Sequence, residues 1–406
     1  MGSFRKKIYA AAGYTTTFFG PGRPEFNPKK EMPSFETYLL ETAEGTLNQL
    51  KGEDFDEGIL GSFMPGRYIN QGNIAGFLPM MVPSLKGAPC IGVEGACGTG
   101  GKAIVAGIKT LLSDLADSVF IGAFEMQNTM KSIYNSDVLS GADYYKKKRK
   151  EGHAYFFPSL FSDRAFAYYQ KYGEERTRNA LAKWYERAIL NARKCPKAQE
   201  YTNLTKDLFS LGLTPPNEKR FLPHLNVYDC AKISDGAASI ALFTEEGLKK
   251  FGVKKAVEIV SFGEAEGDIT AAPSDLTELT QTKRAIEKTD VLPNQLSIVE
   301  IHDCFTITGL LSLEALGLVK PGEAAEYIMQ DKILPINTSG GLIGFGHPTG
   351  ASGVRQFVDL FLQLTKQHPN QVEDLGKSPL GMMISMGGND KTVTAIAVKS
   401  VDSDIC

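Results

Sequence analysis

A single cysteine stands among small residues in Val93-Glu94-Gly95-Ala96-Cys97-Gly98-Thr99-Gly100-Gly101, and Lys102-Ala103-Ile104-Val105-Ala106-Gly107-Ile108 follows it directly. Small residues let a ligand approach the backbone, and the apolar run reads as a buried helix. Cys97 is therefore expected at a helix N-terminus, where the macrodipole lowers a thiol pKa and so makes a nucleophile. The plainer reading of this stretch is a buried structural cysteine beside a turn. A second cluster lies far along the chain. Asn337-Thr338-Ser339-Gly340-Gly341-Leu342-Ile343-Gly344-Phe345-Gly346-His347-Pro348-Thr349-Gly350-Ala351-Ser352-Gly353 sets one histidine in a glycine-rich run, and a helix opens at Val354. A histidine whose ring is oriented by such loops, with space left for substrate, suits a general base.

Between these clusters lies Glu300-Ile301-His302-Asp303-Cys304-Phe305-Thr306. If the backbone is extended there, His302 and Cys304 point to the same side. The remaining histidines, His153, His224 and His368, have no partner visible in the sequence and read as structural. Cys90, Cys195, Cys230 and Cys406 lack a glycine frame and read as inert small hydrophobes or exposed thiols. Asp235 and Asn337 read as loop organisers, since an Asn before a glycine run holds turn backbone through its side chain. Gly346 belongs to the same loop.

Taken together, these segments resemble the thiolase superfamily. The likeness rests on a C-x-T/S-G nucleophile loop at Cys97, an N-x-x-G-G-x-I-x-x-G-H-P-x-G-A-S-G loop at His347, an H-D-C-F tetrapeptide at His302, and Asp235-Gly236-Ala237-Ala238 as a D-G-A-A signature. Most thiolases carry N-E-A-F in place of H-D-C-F and take a second cysteine from a C-x-G motif near the C-terminus. Here that segment reads Met383-Ile384-Ser385-Met386-Gly387-Gly388-Asn389-Asp390, with no cysteine. A serine hydroxyl at Ser385 is too weak an acid to do a thiol's proton work near neutral pH. The resemblance is thus to sterol-carrier-protein type thiolases, in which H-D-C-F supplies the second thiol, here Cys304, and without a fused lipid-transfer domain.

That resemblance implies a 3-ketoacyl-CoA thiolase acting by a ping-pong route, or the reverse Claisen condensation, with Cys97, His302, Cys304 and His347 catalytic. Backbone N–H groups of Cys97 and Gly387 would form one oxyanion site, and His302 with His347 another. CoA and acyl-CoA are then substrates, with no cofactor and no metal, and the protein is at least a homodimer, possibly a tetramer. The alternatives are hydroxymethylglutaryl-CoA synthase, a ketoacyl synthase, or a silent thiolase-like acyl-CoA-binding protein. The first needs an acid/base glutamate near the nucleophile. The last need not keep all four side chains.

Composition narrows the field further. The chain has 406 residues and a net charge of −3, from 44 basic and 47 acidic residues, so no overall field recruits nucleic acid or an anionic membrane. No apolar run approaches the roughly 18 residues of a membrane span. Six scattered cysteines, with no C-x-x-C or zinc-type spacing, point to a reducing compartment and free thiols. The N-terminus lacks a secretory apolar region, and Lys6 stands where myristoylation wants Ser or Thr. The C-terminus, Ser403-Asp404-Ile405-Cys406, does not match a peroxisomal tripeptide, so a cytoplasmic or mitochondrial location is expected.

The elements that must position these residues alternate. Residues 88–93 read as a strand before the Lys102 helix, and residues 296–301 as a strand before a helix over 305–318. Such alternation argues an α/β layered fold. The resemblance implies two similar mixed five-stranded sheets with helices in a five-layer sandwich, plus an inserted loop domain. We therefore divide the chain into 1–127 and 224–255 for the N-terminal half, 128–223 for the insertion, and 256–406 for the C-terminal half. The insertion is aromatic-rich and carries Tyr144-Tyr145-Lys146-Lys147-Lys148-Arg149-Lys150. Lys146, Lys147, Lys148 and Arg149 are candidates for the CoA phosphates, with a solvated charged segment as the other reading.

Overall fold

The structure is a computed structural model in which residues 4–52, 54–151, 153 and 155–401 are described. The readings made for Met1-Gly2-Ser3, for Cys406 and for the C-terminal tripeptide fall outside these residues. Nine strands form the sheet: β1 (Ile8–Thr15), β2 (Glu57–Gly61), β3 (Cys90–Val93), β4 (Ser118–Met126), β5 (Asp235–Phe243), β6 (Val257–Glu266), β7 (Ile298–Glu300), β8 (Leu380–Gly387) and β9 (Thr392–Ser400). Strands β2, β4 and β5 are buried on both faces along their whole length, which is why they read as nearly continuous runs of apolar and small residues.

The two halves repeat one pattern. In the first, β2 runs parallel to β3 and β4, and β5 is antiparallel to both β4 and β1. In the second, β7 is parallel to β8, and β9 is antiparallel to both β8 and β6. The duplication that the sequence conceals is therefore plain in the strand directions. One detail differs from two separate five-stranded sheets. Where β3 flanks β2, the second half has only an isolated parallel bridge between Val299 and Ile336. Asn337 ends that extension at once: its backbone turns to φ 48°, and its side chain bonds both the N–H and the C=O of Ile301. The halves also join edge to edge through a three-residue antiparallel pairing of β1 with β6, giving the order β3-β2-β4-β5-β1-β6-β9-β8-β7.

Helix Thr99–Leu112, which begins three residues earlier than the sequence reading, and helix Ser352–Leu364 lie between the two halves of the sheet and touch both. They cross closely at Gly100, where a Cβ would sit 2.6 Å from the backbone nitrogen of Val354. Helix Phe35–Leu47 covers the far face of the first half and helix Thr280–Glu287 that of the second. The result is a five-layered α/β arrangement, with two outer helical layers, two sheet layers and one helical layer between them. Each layer boundary has its own apolar cluster, with Ile104, Ile121, Val354 and Phe357 in the inner one. Burying each such side chain contributes roughly 1.5–3 kcal/mol.

Between β4 and β5 the described residues contain no strand. Two long helices, Phe156–Tyr172 and Glu174–Ala192, fill this region and pack with helix Thr306–Ala315 on the outer side of the second half. The Phe161 ring stacks on Phe305, with centroids 4.3 Å apart, and so ties the insertion to the H-D-C-F segment.

Candidate active site

Cys97 lies in a single 3-10 turn, Ala96–Gly98, immediately before helix Thr99–Leu112. Ala96 is held at φ 53°, a left-handed conformation that a residue with a Cβ adopts only when its surroundings enforce it. Two side chains do so. Thr99 accepts from Gly95 N at 2.9 Å and donates to Ala96 O at 2.6 Å, while Glu94 accepts from Ala96 N at 2.6 Å. This turn brings the Cys97 sulfur to a cavity of about 370 Å³.

His302 and Cys304, from one turn, and His347, from another loop, line the same cavity. One donor atom each from Cys97, His302 and His347 falls within 4.8 Å of the others, and the two imidazole rings stand edge to face with centroids 5.1 Å apart. Cys304, on the same cavity wall, has its Sγ 4.0 Å from Thr308 Oγ1. Thr308 also donates to Phe305 O and bonds His302 O, so one hydroxyl at the helix start fixes the whole H-D-C-F turn.

The His347 ring is oriented by Ser352. Its Nδ1 is 2.7 Å from Ser352 Oγ, and that hydroxyl gives its own hydrogen to Pro348 O at 2.9 Å. A hydroxyl has only one hydrogen, so Nδ1–H is the donor to Ser352 and Nε2 carries the lone pair. That Nε2 has no partner in the protein. Gly346, at φ 114°, lets the loop turn here; a Cβ would lie 2.8 Å from both Gln199 Oε1 and Ser234 Oγ. Asn337 bonds the backbone of Ile301 through both atoms of its amide, and Asp235 accepts from Gln127 N and Asn128 N.

The electrostatics correct the sequence reading in one respect. The Cys97 thiol is pushed up to about 12, first by burial and then by the Glu125 carboxylate; the N–H groups of Gly388 and of Cys97 itself pull the other way without prevailing. Burial outweighs the helix terminus, although the residue as a whole is only partly buried at the cavity wall. Burial, with the Arg355 charge, drives His347 down to about 3, and burial drives His302 well below the ordinary imidazole value. Burial and then the Cys97 charge push the Cys304 thiol well up. At neutral pH the site thus holds two thiols and two uncharged imidazoles rather than an ion pair.

A second correction concerns the backbone donors. Gly388, not Gly387, lines the cavity, and its N–H is the one turned to the Cys97 sulfur. Gly387 is the last residue of β8 and abuts Gly98 instead. Ser385 is buried on β8 against Gly101 and Gly353 and is not part of the cavity wall. Cys230, expected to be inert, does line the cavity: its neighbour Ala231 donates to Cys304 O, and Cys230 itself bridges to Phe305. Lys146, Lys147, Lys148 and Arg149 are not brought to the wall. Lys147 is paired with Asp143 at 2.8 Å, Arg149 with Asp137 at 2.7 Å, and Lys146 lies over the Tyr144 and Tyr145 rings.

Several contributors had no local signal. Glu125, buried at the end of β4, accepts from Ser62 Oγ, Phe63 N, Met64 N, Thr349 Oγ1 and Gly350 N, and so clamps the loop after β2 to the His347 loop. Asp303 accepts from Trp184 Nε1 at 2.9 Å and Leu342 N at 2.6 Å, joining the insertion to the same loop. The insertion also provides much of the apolar wall through Tyr155, Phe157, Phe161 and Phe221, and Tyr228 adds to it from just beyond the insertion.

A five-layered α/β fold with a cysteine, two buried imidazoles and a second thiol around one apolar cavity defines a thiolase-fold protein with an acyl-transfer type of site. The comparisons agree. Residues 269–397 match the family model described as thiolase C-terminal domain-like. An acetyl-CoA acetyltransferase of Methanocaldococcus jannaschii is 30% identical over 395 residues, covering 92% of this chain and 96% of that protein. Sterol carrier protein 2 of Homo sapiens is 28% identical, covering 75% of this chain and 58% of that protein. The human mitochondrial 3-ketoacyl-CoA thiolase structure in complex with CoA superposes with a TM-score of 0.69 at 16% identity, covering 98% of this chain and 99% of that one. The chain belongs to the thiolase family. Among the described residues no helix is long and apolar enough to cross a membrane.

Proposed function

We propose that this chain is a 3-ketoacyl-CoA thiolase of the H-D-C-F subtype. The observation that carries the reading is the convergence of Cys97, His302 and His347 within 4.8 Å, with Cys304 on the same cavity. His347 Nε2 takes the Cys97 proton as the sulfur attacks the 3-keto carbon, so the thiolate forms only with substrate in place. The tetrahedral oxyanion collects hydrogen bonds from Cys97 N–H and Gly388 N–H. Collapse breaks the Cα–Cβ bond and leaves an acyl-cysteine and the enolate of acetyl-CoA or propionyl-CoA. Cys304 protonates that enolate while His302 and His347 face its oxygen. A second CoA thiol then gives its proton to the site and takes the acyl group, restoring Cys97. Each well-placed oxyanion donor is worth roughly 3 kcal/mol of barrier. Run backwards, the same steps make a Claisen condensation.

CoA and acyl-CoA are substrates in this scheme and thiol and imidazole groups carry every step; the functional unit is at least a homodimer. Glu125 does not favour the hydroxymethylglutaryl-CoA synthase alternative, although its charge reaches Cys97, because five donors already occupy its two oxygens. The test is thiolysis of acetoacetyl-CoA, medium-chain, long-chain and 2-methyl-branched 3-ketoacyl-CoA with free CoA. Loss of the 3-ketoacyl absorbance with formation of shortened acyl-CoA is expected. Acylation of Cys97 with no thiolysis of any of these substrates would overturn the reading.

A further inference from the structure

The donor atoms that surround the reaction centre are also a set of metal ligands. Cys97 Sγ and one ring nitrogen each of His302 and His347 lie within 4.8 Å of one another. Neither nitrogen of His302, nor Nε2 of His347, has a hydrogen-bond partner, although the two residues are only 1% and 8% exposed. Three convergent donors, of which two are buried and unpartnered imidazoles, are what a thiophilic cation requires.

We propose that Cys97, His302 and His347 bind one zinc-class divalent cation in an inhibited form of the protein; the inhibition, though not the site, rests on the thiolase reading. The donor set is one sulfur and two nitrogens with no oxygen, which selects Zn²⁺ or Co²⁺ over Mg²⁺ and Ca²⁺. Metal–ligand bonds of about 2.3 Å to sulfur and 2.0–2.1 Å to nitrogen place tetrahedral donors about 3.5 Å apart. The donors must therefore close by about an ångström. His302 can supply that movement because no hydrogen bond holds its ring. His347 is already braced in the manner of a metal-bound imidazole, its Nδ1–H donating to Ser352 Oγ at 2.7 Å.

Binding forms the sulfur–metal bond, and the Cys97 proton leaves to solvent. The lone pair that would attack an acyl carbon is then engaged. Three protein ligands leave a fourth position that opens on the cavity, available to water or to a thiol. Cys304 and Cys230 line that cavity but stand outside the close group of donors. The ion is thus expected to block acylation without needing either of them.

The test is anaerobic titration of the purified protein with Co²⁺. One equivalent should produce a thiolate-to-cobalt charge-transfer band that Zn²⁺ displaces. Cys97→Ser should abolish the band, His302→Gln and His347→Gln should each weaken binding at least tenfold, and Cys230→Ser and Cys304→Ser should bind within twofold of the parent. In the unmodified protein, Zn²⁺ should protect Cys97 from alkylation, which keeps the test decisive if a variant fails to fold. Absence of a one-equivalent band, a band that survives Cys97→Ser, or alkylation of Cys97 unaffected by Zn²⁺ would overturn the site. The cobalt spectrum needs no acyl-CoA. A protein inert in thiolysis but showing the band overturns the function and keeps the site, and an active protein without the band does the reverse.

Discussion

Ser352 Oγ accepts from His347 Nδ1 at 2.7 Å while spending its own hydrogen on Pro348 O, and this leaves the lone pair of the imidazole at Nε2, beside Cys97. The first residue of an inter-sheet helix thereby sets which nitrogen would serve as base in the proposed mechanism. Ser352→Ala removes the tautomer control and leaves Nδ1 unpaired in a buried place. We expect kcat/KM for thiolysis to fall about 10- to 100-fold, the range seen when a partner that orients an imidazole is lost. Ser352→Thr, which keeps the hydroxyl, should recover part of the loss. Unchanged steady-state kinetics in the alanine variant would remove Ser352 from the mechanism.

The enclosed Cys97 thiol makes a prediction opposite to the one its helix terminus suggests. With the thiol pushed up to about 12, the thiolate fraction in the free protein rises about tenfold per pH unit across the neutral range. Iodoacetamide labelling of Cys97, followed by peptide mass spectrometry, should climb steadily from pH 7 to 9 with no plateau. A plateau below pH 8 would mean a preformed thiolate–imidazolium pair.

How much of this was legible in the sequence depends on whether the signal was local. Cys97, His347, His302 and Cys304 each sit in a short frame of glycines or a tetrapeptide, and these frames are the same ones that build the turns at Ala96 and Gly346. The alternation of strands and helices gave the layers for the same reason. What stayed hidden was set by contacts across long stretches of chain. Glu125 is clamped by Thr349 and Gly350, more than two hundred residues away, and looks in sequence like any strand-end acid. Cys230 has no local signal because its place beside Cys304 comes from a bridge to Phe305 and a bond from Ala231 N to Cys304 O between distant segments. The sign of the Cys97 shift was missed because a helix terminus can be read from sequence and enclosure cannot. The sequence points to Gly387 rather than Gly388 because Gly387 ends the strand and Gly388 begins the turn after it, and only that turn decides which N–H faces inward.

A stability change with pH is expected from Asp235. Burial raises its pKa from 3.8 to about 6, despite the bonds it accepts from Gln127 N and Asn128 N. The folded state therefore holds this proton more tightly than the unfolded chain does. That contribution is fully present below about pH 4 and is lost as pH rises through about 6. Asp235→Asn keeps an oxygen to accept from both N–H groups but has no charge to bury. Its stability relative to the parent should increase between pH 4 and 7, by on the order of 3 kcal/mol at 1.36 kcal/mol per unit. Denaturant unfolding at several pH values would show this, and parallel curves for the two proteins would refute it.

The buried cluster behind the site makes a different claim. Arg355, fully buried, pairs through Nη1 with Asp359 at 2.6 Å and Glu300 at 3.2 Å, while Ser339 Oγ donates to Asp359 and Thr338 N to Glu300. Breaking a buried pair by removing one partner typically costs about 3–5 kcal/mol, since the other charge is left unsatisfied. Arg355→Met should lower the thermal midpoint by many degrees. A midpoint within a degree or two of the parent would show that the carboxylates are neutral in the folded state and need no cation.

The assignment of the second thiol is the sharpest test of the proposed mechanism. Cys304 reaches the cavity, and its thiol feels the Cys97 charge, whereas Ser385 is sealed on β8 against Gly101 and Gly353 with no hydrogen-bond partner. A hydroxyl has a much higher pKa than a thiol and cannot exchange the enolate proton at a useful rate. Cys304→Ser should therefore still acylate Cys97 from a simple acyl-CoA, detected as a mass increment on the intact protein, yet lose thiolysis by about 10²- to 10⁴-fold, the usual weight of a general acid–base group. Ser385→Ala removes a buried oxygen that bonds to nothing and should leave turnover within about twofold and stability within about 1 kcal/mol. The reverse result, near-normal thiolysis in Cys304→Ser with activity abolished in Ser385→Ala, would return proton transfer to β8, and the H-D-C-F reading would fall with it.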